Sequence, residues 1–386
     1  MRERLVFTLG ALGAVITLLS WAPQPVAGQA PAGGARNRAA AAGRQTALRT
    51  SWGEPDLQGI WSGQTLTPLE RPARFKDKPV LSEREAAEIT GEMLARPGRD
   101  RRAERGTEKD VAGAYNAVWQ AQAESLADRR TSLIIDPPDG RIPPLTPEAQ
   151  KRDQQRRALL AALLQGTSGG LPGPPSPRRS EVPALYNVDR MNRADGPEDR
   201  SLPERCLGGM VPDFTAFYRI VQSPGALTMF YDTGQGQGFH RIIPTHGSPH
   251  LPSNIRQWWG DARGRWDGNT LVVDTTNFTP QTDYRGSREN LHLVERLTRV
   301  DANRLNYEVT VDDPTTFTRR WTVALPWLKQ NETENRLFEP TCHVGNYGLV
   351  GMLANTRAAE KAFAEGKGPD PATQDISTGG GPAGLE

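Results

Sequence analysis

The sequence predicts a mainly β protein: an antiparallel meander that closes into a barrel or a curled sheet, with an α-helical layer from the N-terminal half. From about Phe214 to His343, apolar and polar residues alternate with the period of two that half-buried strands require. Turn clusters such as Asp267-Gly268-Asn269 separate these runs at intervals of about 10 to 15 residues. A meander of this length tends to close on itself.

The chain begins with a pattern typical of a secretory signal peptide. Arg2 and Arg4 precede an apolar run over residues 5–21, and small residues suited to signal-peptidase cleavage follow near Gly28 or Ala30. The alternative is an uncleaved membrane anchor, but glycine interrupts the run, which is shorter than the roughly 20 residues that span a bilayer. We therefore expect an exported protein with no membrane span after cleavage.

Composition divides the remaining chain into segments. Residues 29–50 are rich in Ala, Gly and Arg without periodicity, and residues 166–205 are dominated by Pro, Gly, Ser and charged residues. The predicted segments are 1–28 (signal peptide), 29–50 (disordered tether), 51–165 (helical and hairpin region packing on the barrel), 166–205 (loop), 206–358 (β-meander core) and 359–386 (disordered tail).

Two helix starts can be identified in the N-terminal half. Ser82 with Glu85 three residues later has the pattern of a capping box. Thr146 followed by Pro147 predicts a second helix that runs to about Leu164.

The candidate strands follow a short strand-like run in PDLQGIWSG and a predicted hairpin turn at Pro138-Asp139-Gly140. They are FYRIVQ, LTMFYD, FHRIIP, TLVVDTT, LHLVERLTRV, RLNYEVTV, FTRRWTVAL and LFEPTCH.

Cys206 and Cys342 are the two cysteines of the chain. In the oxidising compartment that export predicts, they can form one disulfide. It would close a loop of 136 residues, which the chain-entropy model values at roughly 4 to 5 kcal/mol. The alternatives are two buried free thiols, or Cys342 acting as a nucleophile with His343. A strand would point those two neighbouring side chains to opposite faces, which disfavours the nucleophile.

Four segments carry a resemblance to a known group: RTSLIIDPPDGRIPPLTPEAQ, GRWDGNTLVVDTTNF, LHLVERLTRVDANRLNYEVTVDDP and CHVGNYGL. They resemble the hallmark segments of a large group of exported soil-bacterial proteins of unknown function, over most of residues 54–358. The resemblance implies a bacterial source, a periplasmic or secreted location and a β-rich body; it carries over no catalytic residues. Gly59-x-Trp61 before a meander is also similar to the opening strand of lipocalin-like (calycin) barrels, which implies a barrel of that kind.

The stretch HRIIPTHGSPH contains His240, His246 and His250. His246 and His250, with a carboxylate such as Asp261, could supply the ligands of an open zinc site, but the glycine and proline between them exclude a helix. The alternatives are a polar rim loop whose imidazoles bond to the backbone, or a histidine that acts as a base or ligand contact at a barrel mouth. We do not expect His240 to join the other two. No metal or other cofactor is predicted.

In the predicted strand LHLVERLTRV, Glu295 lies on the same face as the alternating apolar residues. In FTRRWTVAL, Arg319 likewise lies on the apolar face. If tight turns are centred on Ala302 and Pro314, Val309 lies opposite both of these residues. An unpaired buried charge is costly, so we predict an ion pair between Glu295 and Arg319, directly or through water.

Two functions are the main hypotheses from these patterns, and an envelope or partner-binding role is a further alternative. Balanced charge, with 47 Lys and Arg against 45 Asp and Glu, argues against nucleic acid as a partner. The chain also lacks a Gly-x-Ser-x-Gly elbow, a phosphate-binding loop and a dinucleotide fingerprint. The first hypothesis is a β-barrel that binds a small apolar or aromatic molecule. Its candidate ligand-binding residues are Trp258, Trp259, Trp266, Arg241 and Arg319; the tryptophans could instead close a barrel end.

The alternative hypothesis is an exported hydrolase or lyase that acts on a plant-derived or carbohydrate substrate. His250 or His292 would be the base and Glu295 or Asp261 the acid. The sequence does not decide between binding and catalysis, and it leaves the oligomeric state open.

Overall fold

A computed structural model describes most of the chain after the predicted tether. The described residues are 48–95, 125–165, 173–174, 196–197, 200, 202, 204–207, 209–214, 216–234, 237–337, 342–344 and 346–371. Outside them lie the predicted signal peptide, most of the 166–205 loop and the end of the predicted tail.

One antiparallel sheet forms the body of the described protein, and it curls into a nearly closed barrel, as the sequence predicts. Its order is β5-β4-β3-β1-β10-β9-β8-β7-β6, with β2 paired to β10. The strands are β1 (Gly59–Ser62), β2 (Ile134–Asp136), β3 (Phe217–Ser223), β4 (Ala226–Gly234), β5 (Gln237–Pro244), β6 (Asp261–Asp267), β7 (Thr270–Thr276), β8 (His292–Arg299), β9 (Arg304–Asp312) and β10 (Trp321–Lys329).

Three α-helices accompany the sheet in the described residues: α1 (Glu83–Leu94), α2 (Pro147–Leu164) and α3 (Tyr347–Ala364). A 3-10 turn spans Ala73–Phe75. Both predicted helix starts are confirmed. Ser82 and Glu85 form the reciprocal capping box of α1, and the Thr146 hydroxyl caps α2.

The helices contribute little to the core. Neither α1 nor α3 contains a buried residue. Helix α3 also continues past residue 358, so the predicted boundary between core and tail falls inside a helix.

Alternation along the strands fills the barrel interior with large side chains. In β3, for example, Tyr218, Ile220 and Gln222 are buried while Arg219 and Val221 are exposed. Each fully buried Leu, Val or Phe side chain stabilises the fold by about 1.5–3 kcal/mol relative to exposure. The largest fully buried apolar side chains are Trp61, Trp321, Trp327, Tyr218, Tyr231, Phe278 and Phe317.

The register of β10 differs from the prediction. Glu295 lies opposite Val309, as predicted, but Val309 lies opposite Val323 and not Arg319. A turn does lie at residues 314–316, but it does not join β9 directly to β10. Asp313 organises a longer connection: its carboxylate accepts hydrogen bonds from Ser287, Thr315 and Thr316. Consequently β10 begins only at Trp321.

Two other local predictions need correction. A turn does follow β2, with Gly140 at φ +69°, but β2 pairs with β10 and forms no hairpin across the turn. The predicted strand LFEPTCH is absent from the described part of that segment, where Cys342 and His343 lie in a turn.

The predicted disulfide is confirmed: Cys206 and Cys342 are bonded, with their Cα atoms 5.6 Å apart.

The barrel has a seam between β5 and β6, the two strands at the ends of the sheet order. These strands lie side by side, but no strand pairing joins them in the described residues. The segment 245–260 crosses the seam, and its Trp259 ring stacks on Phe239 of β5 with 4.7 Å between ring centroids. Gly264 of β6 faces Thr245 and Ile243 so closely that an added Cβ would lie 2.9 and 3.0 Å from their methyl carbons. Side chains therefore close the barrel where backbone pairing stops.

Candidate functional site

An ion pair lies inside the barrel, between Arg241 of β5 and Glu295 of β8. The Arg241 Nη2 atom donates to Glu295 Oε2 at 2.7 Å, and Nη1 donates to Oε1 at 3.1 Å. The two side chains are 3% and 1% exposed. The Glu295–Arg319 pair predicted from the sequence is wrong: Arg319 is 52% exposed and pairs with Asp136.

Three hydroxyl groups complete this interior network, which consists of Arg241, Glu295, Tyr231, Thr275 and Tyr307. Arg241 Nη1 donates to Tyr231 Oη at 2.8 Å, and Nη2 donates to Thr275 Oγ1 at 2.8 Å. The Tyr307 hydroxyl donates to Glu295 Oε1 at 3.0 Å. The network spans β4, β5, β7, β8 and β9, so Arg241 also connects the two sides of the seam.

The interior network holds its charges firmly. Burial by itself lowers the pKa of Arg241, but the Glu295 carboxylate and the Tyr231 hydroxyl outweigh burial, and the pKa of Arg241 is raised. Burial, followed by the nearby Glu295 charge, raises the pKa of Tyr307 well above 10.0. The guanidinium therefore stays cationic, and the Tyr307 hydroxyl stays a neutral donor at physiological pH.

Aromatic rings surround this network in a continuous series. The centroid distances along it are 4.4 Å for Tyr307–Trp327, 3.9 Å for Trp327–Tyr218, 5.3 Å for Tyr218–Tyr231, 4.3 Å for Tyr231–Phe239 and 4.7 Å for Phe239–Trp259. All are stacked except the edge-on Tyr218–Tyr231 pair. The partly buried Trp259 stands at the seam, so the series leads from the seam to the interior.

Two buried donors near this network have no hydrogen-bond partner among the described residues: Arg241 Nε and Trp327 Nε1. The Tyr231 hydroxyl accepts from Arg241, and no described residue accepts the proton of that hydroxyl. Buried donors without partners are rare and costly in proteins. The interior thus offers unused donors beside aromatic faces.

A second polar group, the outer-face cluster, consists of His250, Asp261, Asp274 and His292. His250 Nδ1 lies 2.9 Å from Asp261 Oδ2, and His250 Nε2 lies 3.0 Å from Asp274 Oδ1. His292 Nε2 lies 3.0 Å from Asp274 Oδ2. Asp274 and His292 have the parity opposite to the buried residues of β7 and β8, so the cluster lies on the outside of the barrel.

Asp261 anchors this cluster. It is 3% exposed, and its carboxylate also accepts from Arg263 Nη1 at 2.6 Å and from the Leu251 backbone at 2.8 Å. Because both nitrogens of His250 face carboxylates, only the imidazolium form can donate from both. The cluster holds the segment 245–260 against β6 and β7.

Asp274 and His292 shift each other's titration. The hydrogen bond from His292 lowers the pKa of Asp274, while partial burial opposes that effect. The hydrogen bond to Asp274 raises the pKa of His292, against partial burial, and the charge of Asp312 adds to the rise. His292 Nδ1 has no partner among the described residues, and its side chain is 41% exposed.

The sequence candidates lie in several separate places. His250, His292 and Asp261 converge on the outer face, whereas Glu295 and Arg241 lie inside the barrel. Trp259 and Trp266 are partly buried against the core, and Arg319 lies outside it. His240 is exposed on β5, and His246 Nδ1 lies 3.1 Å from the Gly225 carbonyl.

Three functional candidates were missed at the sequence level. Asp274 has the outward parity in TLVVDTT and could have been noticed for that reason. Tyr231 and Tyr307 follow the buried parity of their strands, but a buried tyrosine by itself indicates core packing. Within the residues that the structure describes, no group of three or more His, Cys, Asp or Glu side chains could hold a metal ion.

The fold and the interior network define a β-barrel with an enclosed polar network among aromatic rings. Among solved structures, the chain is similar to the fluorescent protein UnaG: the wild type has 13% identity and a TM-score of 0.20, with 30% of this chain and 73% of that chain covered. A point mutant of UnaG has 12% identity and a TM-score of 0.21, with 33% and 86% covered. No protein-family model matches the chain, and no curated protein matches it. The resemblance to exported soil-bacterial proteins stays a prediction. No helix in the described residues has the length and apolar character to cross a membrane.

Proposed function

We propose that the protein is an exported β-barrel that binds a small, largely apolar or aromatic molecule inside the barrel. The observation that carries the proposal is the interior network: a buried ion pair beside aromatic rings, with Arg241 Nε left without a partner. Small-molecule sites combine apolar and aromatic walls with a few convergent polar groups. The disulfide and the signal-like N-terminus support export.

Energetics also favour a ligand role over a purely structural one. A buried ion pair adds little net stability, and well-packed apolar residues of similar volume often stabilise a core at least as well. Unused donors add a further cost, because a buried donor without an acceptor loses its hydration without replacement. A ligand that supplies an acceptor removes that cost.

The test is a titration of purified protein with small neutral aromatic compounds. Trp259 and Trp327 belong to the series of rings, so binding should quench tryptophan fluorescence and raise the unfolding temperature. We expect Arg241→Met to weaken binding, and Arg319→Met, which alters an exposed arginine outside the barrel, to leave it unchanged. Mass spectrometry under native conditions would identify a ligand retained through purification. The absence of binding by folded wild-type protein would overturn the proposal.

A second candidate function, acid–base catalysis, is favoured by one feature of the outer-face cluster. Asp274 orients His292 through Nε2, and Nδ1 of this half-exposed side chain has no partner among the described residues, an arrangement suited to proton transfer with a bound substrate. Assays with ester and glycoside substrates would test it. Activity lost in His292→Asn and kept in His240→Asn would support it, and equal activity in all three proteins would exclude it.

A further inference from the structure

We propose that the interior network selects neutral planar aromatic molecules that carry a carbonyl oxygen, and discriminates against carboxylate analogues of the same shape. This inference rests on the proposed function, because it names the chemical class of the ligand for the same site. It is carried by the balance of donors, acceptors and charge around Arg241 and Glu295.

The interior network contains hydrogen-bond donors that have no acceptor among the described residues. Arg241 uses Nη1 and Nη2 for Glu295, Tyr231 and Thr275, and its Nε is buried without a partner. The Tyr231 hydroxyl accepts from Arg241 and keeps its own proton available. Burial raises the pKa of Tyr231, so the hydroxyl remains a donor. A ligand therefore meets hydrogen-bond donors first.

The acceptors of the network are already occupied. Glu295 Oε1 accepts from Arg241 and from Tyr307. Glu295 Oε2 accepts from Arg241 at 2.7 Å and is approached by Thr275 at 3.5 Å. A ligand hydroxyl or amine would find no strong acceptor here, so the matching ligand group is an acceptor such as a carbonyl oxygen.

Charge then distinguishes a carbonyl from a carboxylate. The guanidinium of Arg241 is neutralised by Glu295 in a bidentate pair, so the network has no net charge. A ligand carboxylate would bring a second negative charge beside Glu295 into the barrel, where the desolvation of a charge is costly unless a free cation is present. In the described residues no other cation lies in this network, so a neutral acceptor is preferred.

The rings determine the shape of the ligand. The stacked pairs along the series have interplanar angles between 10° and 18°. A planar aromatic ligand can replace one ring-to-ring contact with another of similar energy. A saturated or branched ligand of the same size would lose those contacts.

Three naphthalenes of similar size test this assignment on the wild-type protein at neutral pH: acetonaphthone with a neutral carbonyl, ethylnaphthalene without an acceptor, and naphthoate with a carboxylate. Dissociation constants are measured by tryptophan quenching, and occupancy is checked by the rise in unfolding temperature. We expect acetonaphthone to bind at least about ten-fold more tightly than either analogue, the factor that one hydrogen bond to a buried charged donor supplies.

A second experiment changes the charge of the interior network. Glu295→Gln keeps the size of the side chain and removes the negative charge, so Arg241 becomes an uncompensated cation. In this variant we expect naphthoate to bind more tightly than acetonaphthone, which reverses the order. Glu308→Gln, on the outward face of β9, is the matched control and should keep the wild-type order. Circular dichroism confirms that each variant is folded.

The outcomes separate this inference from the proposed function. If naphthoate binds the wild type as tightly as acetonaphthone, or if ethylnaphthalene equals acetonaphthone, the selectivity for a neutral carbonyl is overturned while binding itself stands. If none of the three binds folded wild-type protein, the proposed function fails and this inference fails with it. The comparison of the three naphthalenes on the wild-type protein tests the selectivity even if Glu295→Gln does not fold.

Discussion

At the scale of single residues, the two arginines that the sequence analysis placed among the candidate ligand-binding residues lie in opposite environments. Arg241 lies inside the barrel with its charge balanced by Glu295, whereas Arg319 lies on the surface beside Asp136. Water screens the surface pair, so its contribution to stability is small. Inside the barrel, loss of either partner leaves a charge with no compensation from water.

Substitution of Glu295 by leucine should therefore lower the free energy of unfolding by about 3–5 kcal/mol. The double variant Arg241→Leu/Glu295→Leu should lose less than the sum of the two single changes, because it leaves no unpaired charge. Urea denaturation at neutral pH measures all three. Arg319→Leu is the control, with an expected loss of about 1 kcal/mol or less. An equal loss in Arg319→Leu and Arg241→Leu would contradict this assignment.

The Asp274–His292 pair predicts a pH dependence of stability. The pKa of His292 is raised on folding. Its contribution to the stability of the fold is therefore fully present below the ordinary value of 6.5 and is lost as pH rises through the raised value. The pKa of Asp274 is lowered, so its contribution is complete above the ordinary value of 3.8 and is lost as pH falls through the lowered value. Both contributions are complete between pH 3.8 and 6.5.

Unfolding temperatures measured from acidic to alkaline pH check this dependence. His292→Asn should remove the part of the stability that the wild type loses above pH 6.5. His240→Asn, on the exposed face of β5, should leave the wild-type profile unchanged. If His292→Asn and the wild type show the same alkaline slope, the pair does not contribute in this way.

At the scale of elements, alternation predicted most strands but missed β6. The inward residues of β6 are Ala262, Gly264 and Trp266, and two of these three side chains are too small to mark a buried face in the sequence. Strand β10 was placed too early because Phe317 and Trp321 share a parity across the irregular connection that Asp313 organises. Hydrogen bonds between side chains of this kind leave no periodic signal in the sequence.

The site was harder to predict than the strands. Parity identified Glu295 as a charge on an apolar face, and that placement is correct. Its partner lies on β5, which is far from β8 in the sheet order and reaches it only because the barrel closes. Local register arguments extend only to neighbouring strands, so they led to Arg319, which precedes β10.

Gly264 should be sensitive to the smallest possible substitution. An alanine methyl at this position would lie 2.9 Å from a Thr245 carbon and 3.0 Å from an Ile243 carbon, which forces β5 and β6 apart at the seam. We expect Gly264→Ala to cost about 1–3 kcal/mol of unfolding free energy. Gly351 in α3 has nothing within 4 Å of an added Cβ, so Gly351→Ala should stabilise by up to about 1 kcal/mol. Thermal or urea unfolding compares the two, and equal effects would contradict the close contact at the seam.

At the scale of the whole molecule, the disulfide joins the segment before β3 to the turn before α3. The exposed helix α3 has no buried residue of its own, so the bond and the contacts of Asn346 with Glu204 and Cys206 hold it to the rest of the protein. The disulfide therefore fixes an element that core packing does not.

Removal of the disulfide should destabilise the protein mainly through the unfolded state. The double variant Cys206→Ser/Cys342→Ser opens a loop of 136 residues, and the expected loss is up to about 4–5 kcal/mol by the chain-entropy model. Denaturation of the wild type with and without a reductant provides an independent comparison. An unchanged unfolding midpoint in both experiments would show that the bond does not constrain the unfolded chain.

The position of β1 has a consequence for how the chain is made. β1 lies near the start of the described residues, yet its neighbours in the sheet are β3 and the last strand, β10. A ribosome delivers β10 after every other strand, so β1 remains without one of its two partners until synthesis of the barrel is nearly complete. Pairings between such distant segments are slow to form, because a long loop must close first. Closure of the barrel therefore has to wait until β10 has been made, and the unfinished sheet has to be kept from pairing with other chains until then.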